Sequence, residues 1–214
     1  MVFLYYMKKT HIITLSGKPG SGKSSTADKV AELLSYTRYS SGDFVRKYVR
    51  AHSMTLAEFN QKAASDHSLD DAIDEELRKL RDEQDIIIDS RLGFYWIPES
   101  FKVYLDLDIS VATARIYKDA VSNAGRGVGA GTATSLADAS KQVQSRLNAE
   151  TRRFKSMYGV DPYSAKNFDL VINTARHSPQ TVALTVFDNY KKWLKREEWR
   201  QVYSEVPMGE SESA

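Results

Sequence analysis

The chain has 214 residues, enough for one ordinary α/β domain with a sizeable core and room for inserted subdomains. Its 30 Lys and Arg against 28 Asp and Glu leave a formal net charge of +2, and these charges are interspersed rather than gathered into a basic tract, which argues against a nucleic-acid partner. The absence of cysteine excludes disulfides and thiolate metal sites, and suits a cytoplasmic location.

At the N-terminus, Val2-Phe3-Leu4-Tyr5-Tyr6 is too short for a signal peptide or a membrane span, and Lys8 and Lys9 follow it rather than precede it. Residues 1–9 therefore read as an extension, with Met7 as an alternative start, and a single domain is expected over 10–206. His11 to Ser16 is β-branched and apolar enough for a buried strand, while Ala27, Val30, Ala31 and Leu34 follow at the i, i+3, i+4, i+7 spacing of a helix. Between them Gly17-Lys18-Pro19-Gly20-Ser21-Gly22-Lys23-Ser24 fits G-x-x-x-x-G-K-[ST] completely. Backbone N–H groups and the helix dipole at such a strand-to-helix turn favour a polyphosphate. Lys23 is placed to reach the β/γ phosphates and the Ser24 hydroxyl to ligate Mg²⁺. Gly17 to Ser24 with the adjoining Ser25 are thus the expected ATP-binding residues.

Further strands are expected at Thr37 to Ser40, Ile86 to Asp89, Val103 to Leu107 and Leu170 to Asn173, separated by helical patterns. That order predicts a three-layer α/β fold: a parallel sheet of about five strands with helices on both faces. Arg46 to Arg81 is charged and helical throughout, a small helical insertion. Val121 to Ser135 contains Gly125-Arg126-Gly127-Val128-Gly129-Ala130-Gly131 between two helical patterns; a moving lid over about 117–153 is expected there. A last helix is predicted over about Pro179 to Tyr203, with Val182, Phe187, Tyr190, Trp193 and Leu194 as core packing, and 207–214 reads as a solvated tail.

A phosphate cradle does not say what receives the phosphate. The second strand ends in Ser40-Ser41-Gly42-Asp43-Phe44-Val45-Arg46, and ligands of open α/β sheets bind at the carboxyl ends of the strands. Here the chain resembles the P-loop nucleoside monophosphate kinases, whose acceptor segment has a Ser/Thr-Gly-Asp/Glu core followed by an arginine. The resemblance implies acceptor contacts from Ser41, Gly42, Asp43 and Arg46, with Arg46 on the acceptor phosphate. Ile86-Ile87-Ile88-Asp89-Ser90-Arg91 puts a carboxylate at the end of a buried strand, where it can hold the hydration shell of Mg²⁺. Together with Asn60, Asp66, Asp70 and Asp74 in the insertion, this order resembles the cytidylate kinase branch, in particular its compact archaeal type. That type reads Asp/Glu-Gly-Arg where this chain has Ser90. Arg146, Glu150 and Arg153, spaced i, i+4, i+7, face one side of a helix, so two guanidinium groups can converge on phosphates with the carboxylate orienting them. The lid helix of cytidylate kinases has the same spacing. Arg152 to Asp161 and Phe168 to Thr174 continue the resemblance, which runs from His11 to the last helix.

In such kinases an arginine at the place of Arg115 lies near the donor adenine or its phosphates. A second often stands one turn later, but position 119 is Asp here, leaving Lys118 and Arg126 as substitutes. The resemblance implies Mg²⁺-dependent transfer from ATP to a nucleoside monophosphate, most favourably CMP or dCMP, by a monomer with small-molecule partners only. Lys23, Arg91, Arg146 and Arg153 would neutralise the transferring group, Ser24 and Asp89 would position the metal, and Asp74 would accept from cytosine N4. Three alternatives stay open: another monophosphate such as AMP or UMP, a hydroxyl acceptor with Asp43 as base, and a non-catalytic nucleotide-binding module. A GTPase lacks its Asn-Lys-x-Asp motif here.

Overall fold

The computed structural model describes residues 10–63, 66, 68–122, 133–196 and 198–204. The N-terminal extension, the glycine tract with Arg126, the Asn60 side chain and the tail lie outside the described residues. Strands β1 (Ile12–Gly17), β2 (Thr37–Ser40), β3 (Ile86–Asp89), β4 (Phe101–Asp106), β5 (Leu170–Asn173) and β6 (Val202–Ser204) form one sheet in the order β2-β3-β1-β4-β5-β6. Every neighbouring pair is parallel.

Period-two alternation explains why both faces are covered. Ile13, Leu15, Ile87, Val103, Leu105, Leu170 and Ile172 point to one face and pack with Ala27 and Val30 of α1 (Lys23–Leu34) and with Val182, Val186, Tyr190 and Trp193 of α8 (Pro179–Lys195). Ile12, Ile86 and Ile88 point to the other, against Leu77 of α4 (Ser68–Lys79) and the Ile97 that follows α5 (Gly93–Trp96). Strands apolar on both faces belong to a parallel sheet sandwiched by helices.

The insertion is helical but not throughout: α2 (Ser41–Ala51), α3 (Leu56–Ala63) and α4 are separate helices. Val49, Phe59, Ala63 and Leu69 give them a small core of their own. The Ser40 hydroxyl accepts from the Gly42 N–H at 3.2 Å and caps α2, so Ser41, Gly42 and Asp43 form its first turn. Helices α6 (Ile109–Ser122) and α7 (Leu136–Tyr158) flank the glycine tract.

The expected parallel sheet of about five strands has six among the described residues. One expectation is corrected: the last helix ends at Lys195 instead of reaching Tyr203. Beyond α8 the Trp199 indole donates to the Asp169 carbonyl at 3.1 Å and the Val202 N–H donates to the same oxygen at 2.9 Å, drawing the chain into an added edge strand. A three-residue strand is too short to carry a period of its own. Phe101 anchors this end, with Tyr190, Trp193 and Trp199 ring centroids 5.7, 5.4 and 6.0 Å away. Phe101→Ala should lower unfolding free energy by about 3–5 kcal/mol in denaturant titrations and, since the cluster lies away from the β1–α1 turn, leave turnover of the folded fraction unchanged.

Candidate active site

The register of the sheet assembles the site. Asp89 is the Cα partner of Leu15 on one side and of Ser40 on the other, and Gly17 pairs with Leu105, so the carboxyl ends of β2, β3, β1 and β4 lie side by side. The order of strands reverses direction around β1, the place where an open α/β sheet leaves a crevice. The loop from Gly17 to Gly22 occupies it. A Cβ on Gly17 would stand 2.5 Å from the Leu105 carbonyl oxygen, and one on Gly20 would stand 3.0 Å from that of Ala112. Gly20 and Gly22 have φ of +76° and +82°, a left-handed backbone that favours glycine.

Helix α1 begins at Lys23 with no side-chain cap and no acidic residue in its first turn, so its leading N–H groups and positive end face the loop without a competing anion of the helix's own. The Ser21 hydroxyl is buried there with no hydrogen-bond partner among the described residues. A cradle closed to a Cβ at Gly17 and Gly20, an uncapped helix start and an orphaned hydroxyl fit a polyphosphate. Lys18 turns away, donating to Asp106 at 2.8 Å and to the Leu107 carbonyl at 3.0 Å, and so anchors the loop to the end of β4. Arg115 on α6 anchors it from the other side, donating to the carbonyls of Gly20 at 3.4 Å, Thr174 at 2.7 Å and Ala175 at 3.0 Å. Burial is the main force on Lys23 and the nearby Arg91 adds to it; against the pull of Asp89, they lower its pKa to about 8.

Ser24 and Asp89 meet: the hydroxyl donates to Asp89 Oδ2 at 2.6 Å. A hydroxyl and a carboxylate are hard oxygen donors suited to Mg²⁺. Among the described residues no three His, Cys, Asp or Glu gather into a metal cage, so an ion at this pair would need phosphate oxygens and water to complete its shell. Arg38 of β2, which no motif singled out, donates to the same Asp89 oxygen at 3.1 Å.

Glu150 on α7 is the hub of the opposite wall. Its Oε2 accepts from Arg91 Nε at 2.5 Å and from the Tyr163 phenol, and its Oε1 accepts from Arg146 Nε at 3.0 Å. Both guanidinium groups are gripped through Nε, and their terminal nitrogens form no hydrogen bond among the described residues. Burial would raise the Glu150 carboxyl, but Arg91 and Arg146 outweigh it and hold it at about 2. Burial likewise opposes the Arg91 charge, and Glu150 and Tyr163 reverse that effect. Tyr163, desolvated and beside Glu150, sits well above the usual phenol range and stays a donor.

Two predicted residues take other partners. Arg153 is not held by Glu150; it turns to Asp70 of α4 at 3.5 Å, with its guanidinium over the Phe154 ring. Asp74 is buried, its Oδ1 accepting from the Trp96 indole at 3.0 Å and its Oδ2 from the Tyr158 phenol. Burial pushes that carboxyl up against both hydrogen bonds. Arg46 lies on the exposed side of α2, 2.5 Å from Asp43.

The profile of the cytidylate kinase-like family matches residues 12–176. The chain belongs to this family. It is thereby an enzyme, a phosphotransferase of the nucleoside monophosphate kinase type. A cytidylate kinase of Halobacterium salinarum is 35% identical over 182 residues, covering 83% of this chain and 88% of that protein. An S-adenosylmethionine-dependent nucleotide dehydratase of Lacinutrix mariniflava is 34% identical over 182 residues, covering 84% of this chain but 36% of that longer protein. Among solved structures, a shikimate kinase from Acinetobacter baumannii in complex with shikimate has a TM-score of 0.60 at 13% identity, covering 87% of this chain and 96% of that one. At that identity the likeness is one of fold. No helix among the described residues is long and apolar enough to cross a membrane.

Within this family member the groups missed from sequence are Arg38, Trp96, Tyr158 and Tyr163, all of them partners of carboxylates the motifs had found. Asp161-Pro162-Tyr163 held one clue: the Asp161 carboxylate accepts from the Tyr163 N–H at 3.0 Å, an Asx turn that presents the ring.

The Lys23 shift has a definite sign. Its folded pKa lies below that of the free side chain, so between about 8 and 10.5 the folded chain holds fewer protons than the unfolded one, and this group's contribution to stability rises with pH there. A bound polyphosphate favours the ammonium and reverses that shift. ATP binding at pH 8.5 should therefore take up protons, seen as a binding enthalpy that varies with buffer ionisation heat in isothermal titration. In Lys23→Met that dependence should vanish.

Proposed function

We propose that this chain transfers the γ-phosphoryl group of ATP to a nucleoside monophosphate with Mg²⁺, CMP and dCMP being the preferred acceptors. The observation that carries this reading is the Glu150 hub, which holds the Arg91 and Arg146 guanidinium groups beside Lys23 with terminal nitrogens that form no hydrogen bond among the described residues. Phosphoryl transfer passes through a loose transition state whose charge sits on peripheral oxygens, so convergent cations supply most of what the protein must provide. A phosphate acceptor brings its own nucleophilic oxygen, largely dianionic at neutral pH, and needs no base.

In this reading the loop N–H groups and Lys23 bind the donor phosphates, and Arg115 fixes the loop. Ser24 and Asp89 would hold Mg²⁺, which would supply positive charge to offset that of the donor phosphates. Helices α2 to α4 serve as the acceptor insertion, with Arg46 on the acceptor phosphate. Arg153 acts from the seam between α7 and α4, and the segment 117–153 closes over the site and excludes water. Asp74, whose oxygens are fixed by Trp96 and Tyr158, keeps further lone pairs for the cytosine N4 donor. Uracil presents O4 there, and two opposed acceptors in a buried site cost about 1–3 kcal/mol.

A coupled assay with ATP against the ribo- and deoxy-monophosphates should rank CMP and dCMP first, UMP lower, and AMP and GMP last. A profile led by AMP or UMP would reject the cytidylate preference alone. Arg46→Ala should raise KM for CMP by a factor of about tens to a hundred, the worth of a lost charge-assisted contact, with little change in KM for ATP. Loss of activity in Asp43→Asn with a silent Arg46→Ala would favour a hydroxyl acceptor instead.

A further inference from the structure

Arg38 lies on β2, the edge strand, yet only 20% of its side chain is exposed. One terminal nitrogen lies 3.1 Å from Asp89 Oδ2; the other lies 3.3 Å from Asp28 and 3.9 Å from Asp43. Its Nε is buried with no hydrogen-bond partner among the described residues. Asp43 is in turn bound to Arg46 at 2.5 Å. Asp89, Arg38, Asp43 and Arg46 thus form a file of alternating charge. It begins at the carboxylate that touches Ser24 and ends at the arginine assigned to the acceptor phosphate.

We propose that Arg38 couples the metal-and-donor half of the site to the acceptor half, an inference that rests on the monophosphate-kinase reading. Asp89 Oδ2 already accepts from both Ser24 and Arg38, so a divalent cation held by Ser24 and Asp89 brings like charge within a few ångströms of the guanidinium. Arg38 then loses its hold on Asp89. The partners left to it are Asp28 and Asp43, which its other terminal nitrogen already faces, so a small swing suffices.

A closer Arg38 satisfies Asp43 and loosens its grip on Arg46. That second pair is the weak link, because both of its members are about half exposed and such pairs contribute little. Arg46 is then free to present its terminal nitrogens to a phosphate. Without the metal the sequence reverses: Arg38 neutralises Asp89, and Arg46 stays on Asp43. Acceptor binding should therefore tighten when Mg²⁺ joins the donor nucleotide, and by linkage the acceptor should tighten Mg²⁺ binding by the same factor.

The test is isothermal titration of CMP into the full chain loaded with adenylyl imidodiphosphate, once with Mg²⁺ and once with EDTA. For the wild type we expect Mg²⁺ to tighten CMP on the order of tenfold, and for Arg38→Met the gain should shrink below about twofold. Arg38→Lys, which keeps a cation, should recover most of it, a rescue that loss of packing alone would not allow. Asp43→Asn cuts the file at its next link and should abolish the gain with Arg38 intact, so the proposal remains testable should Arg38→Met fail to fold in a thermal melt. An undiminished gain in either Arg38→Met or Asp43→Asn, or no gain in the wild type, overturns the coupling while leaving the kinase reading in place. If no monophosphate binds the wild type under any condition, the kinase reading fails and takes this inference with it.

Discussion

Positive charges crowded at one end of a sheet repel one another, and the arrangement of the whole site follows from how that repulsion is met. Lys23, Arg38, Arg46, Arg91 and Arg146 all face the same crevice or its rim. Each of the four arginines is tied to a carboxylate: Arg38 to Asp89, Arg46 to Asp43, and Arg91 and Arg146 to the shared Glu150. Lys23 has Asp89 and Glu150 nearby, but their pull does not offset desolvation and the neighbouring arginine, and its lowered pKa reports the imbalance. A phosphate group arriving there meets cations already ordered and under-neutralised. That is pre-organisation in the electrostatic sense, since little reorganisation is left for the moment of transfer.

The carboxylates sit where they do because of strand register. Asp89 ends a strand that is buried on both faces, and its position opposite Leu15 and Ser40 fixes it to within a residue. A one-residue slip of β3 would turn the carboxylate to the opposite face of the sheet, away from Ser24 and Arg38. Glu150 is held differently. It lies on a 23-residue helix whose inner face carries Ala139, Val143, Leu147 and Phe154, and Tyr163, from the segment after that helix, donates to the same Oε2 that Arg91 holds. One wall of the site is thus as rigid as the sheet, while the other rides on α7, next to the glycine tract.

What could be read from sequence was whatever is local. The phosphate loop is a contiguous string, the core strands announce themselves by apolar runs, and the Arg146, Glu150 and Arg153 spacing follows from helical period. Contacts between distant parts of the chain carry no such mark. Tyr158 reaches Asp74 across 84 positions and Arg38 reaches Asp89 across 51, and nothing in the composition around either side chain sets it apart from an ordinary surface group. Arg153 shows the limit of spacing arguments: it shares a face with Glu150, yet Asp70 on another helix claims it. The sixth strand escaped for a related reason, being specified by the Trp199 indole and the Asp169 carbonyl rather than by any alternation.

The bare start of helix α1 also sets a boundary for protein engineering. A cap of Ser, Thr, Asp or Asn at such a position commonly contributes about 0.5–2 kcal/mol, and a first-turn acid adds to it. Gly22, at φ +82°, would strain such a cap, so methods that search for thermostable variants by rewarding melting temperature will be drawn to an acid in the first helical turn instead. An introduced carboxylate would sit where the polyphosphate belongs and imitate it, trading catalysis for heat resistance. Selection for stability in this chain therefore has to exclude the first turn of α1 from the outset and spend its substitutions on the outer faces of the helices.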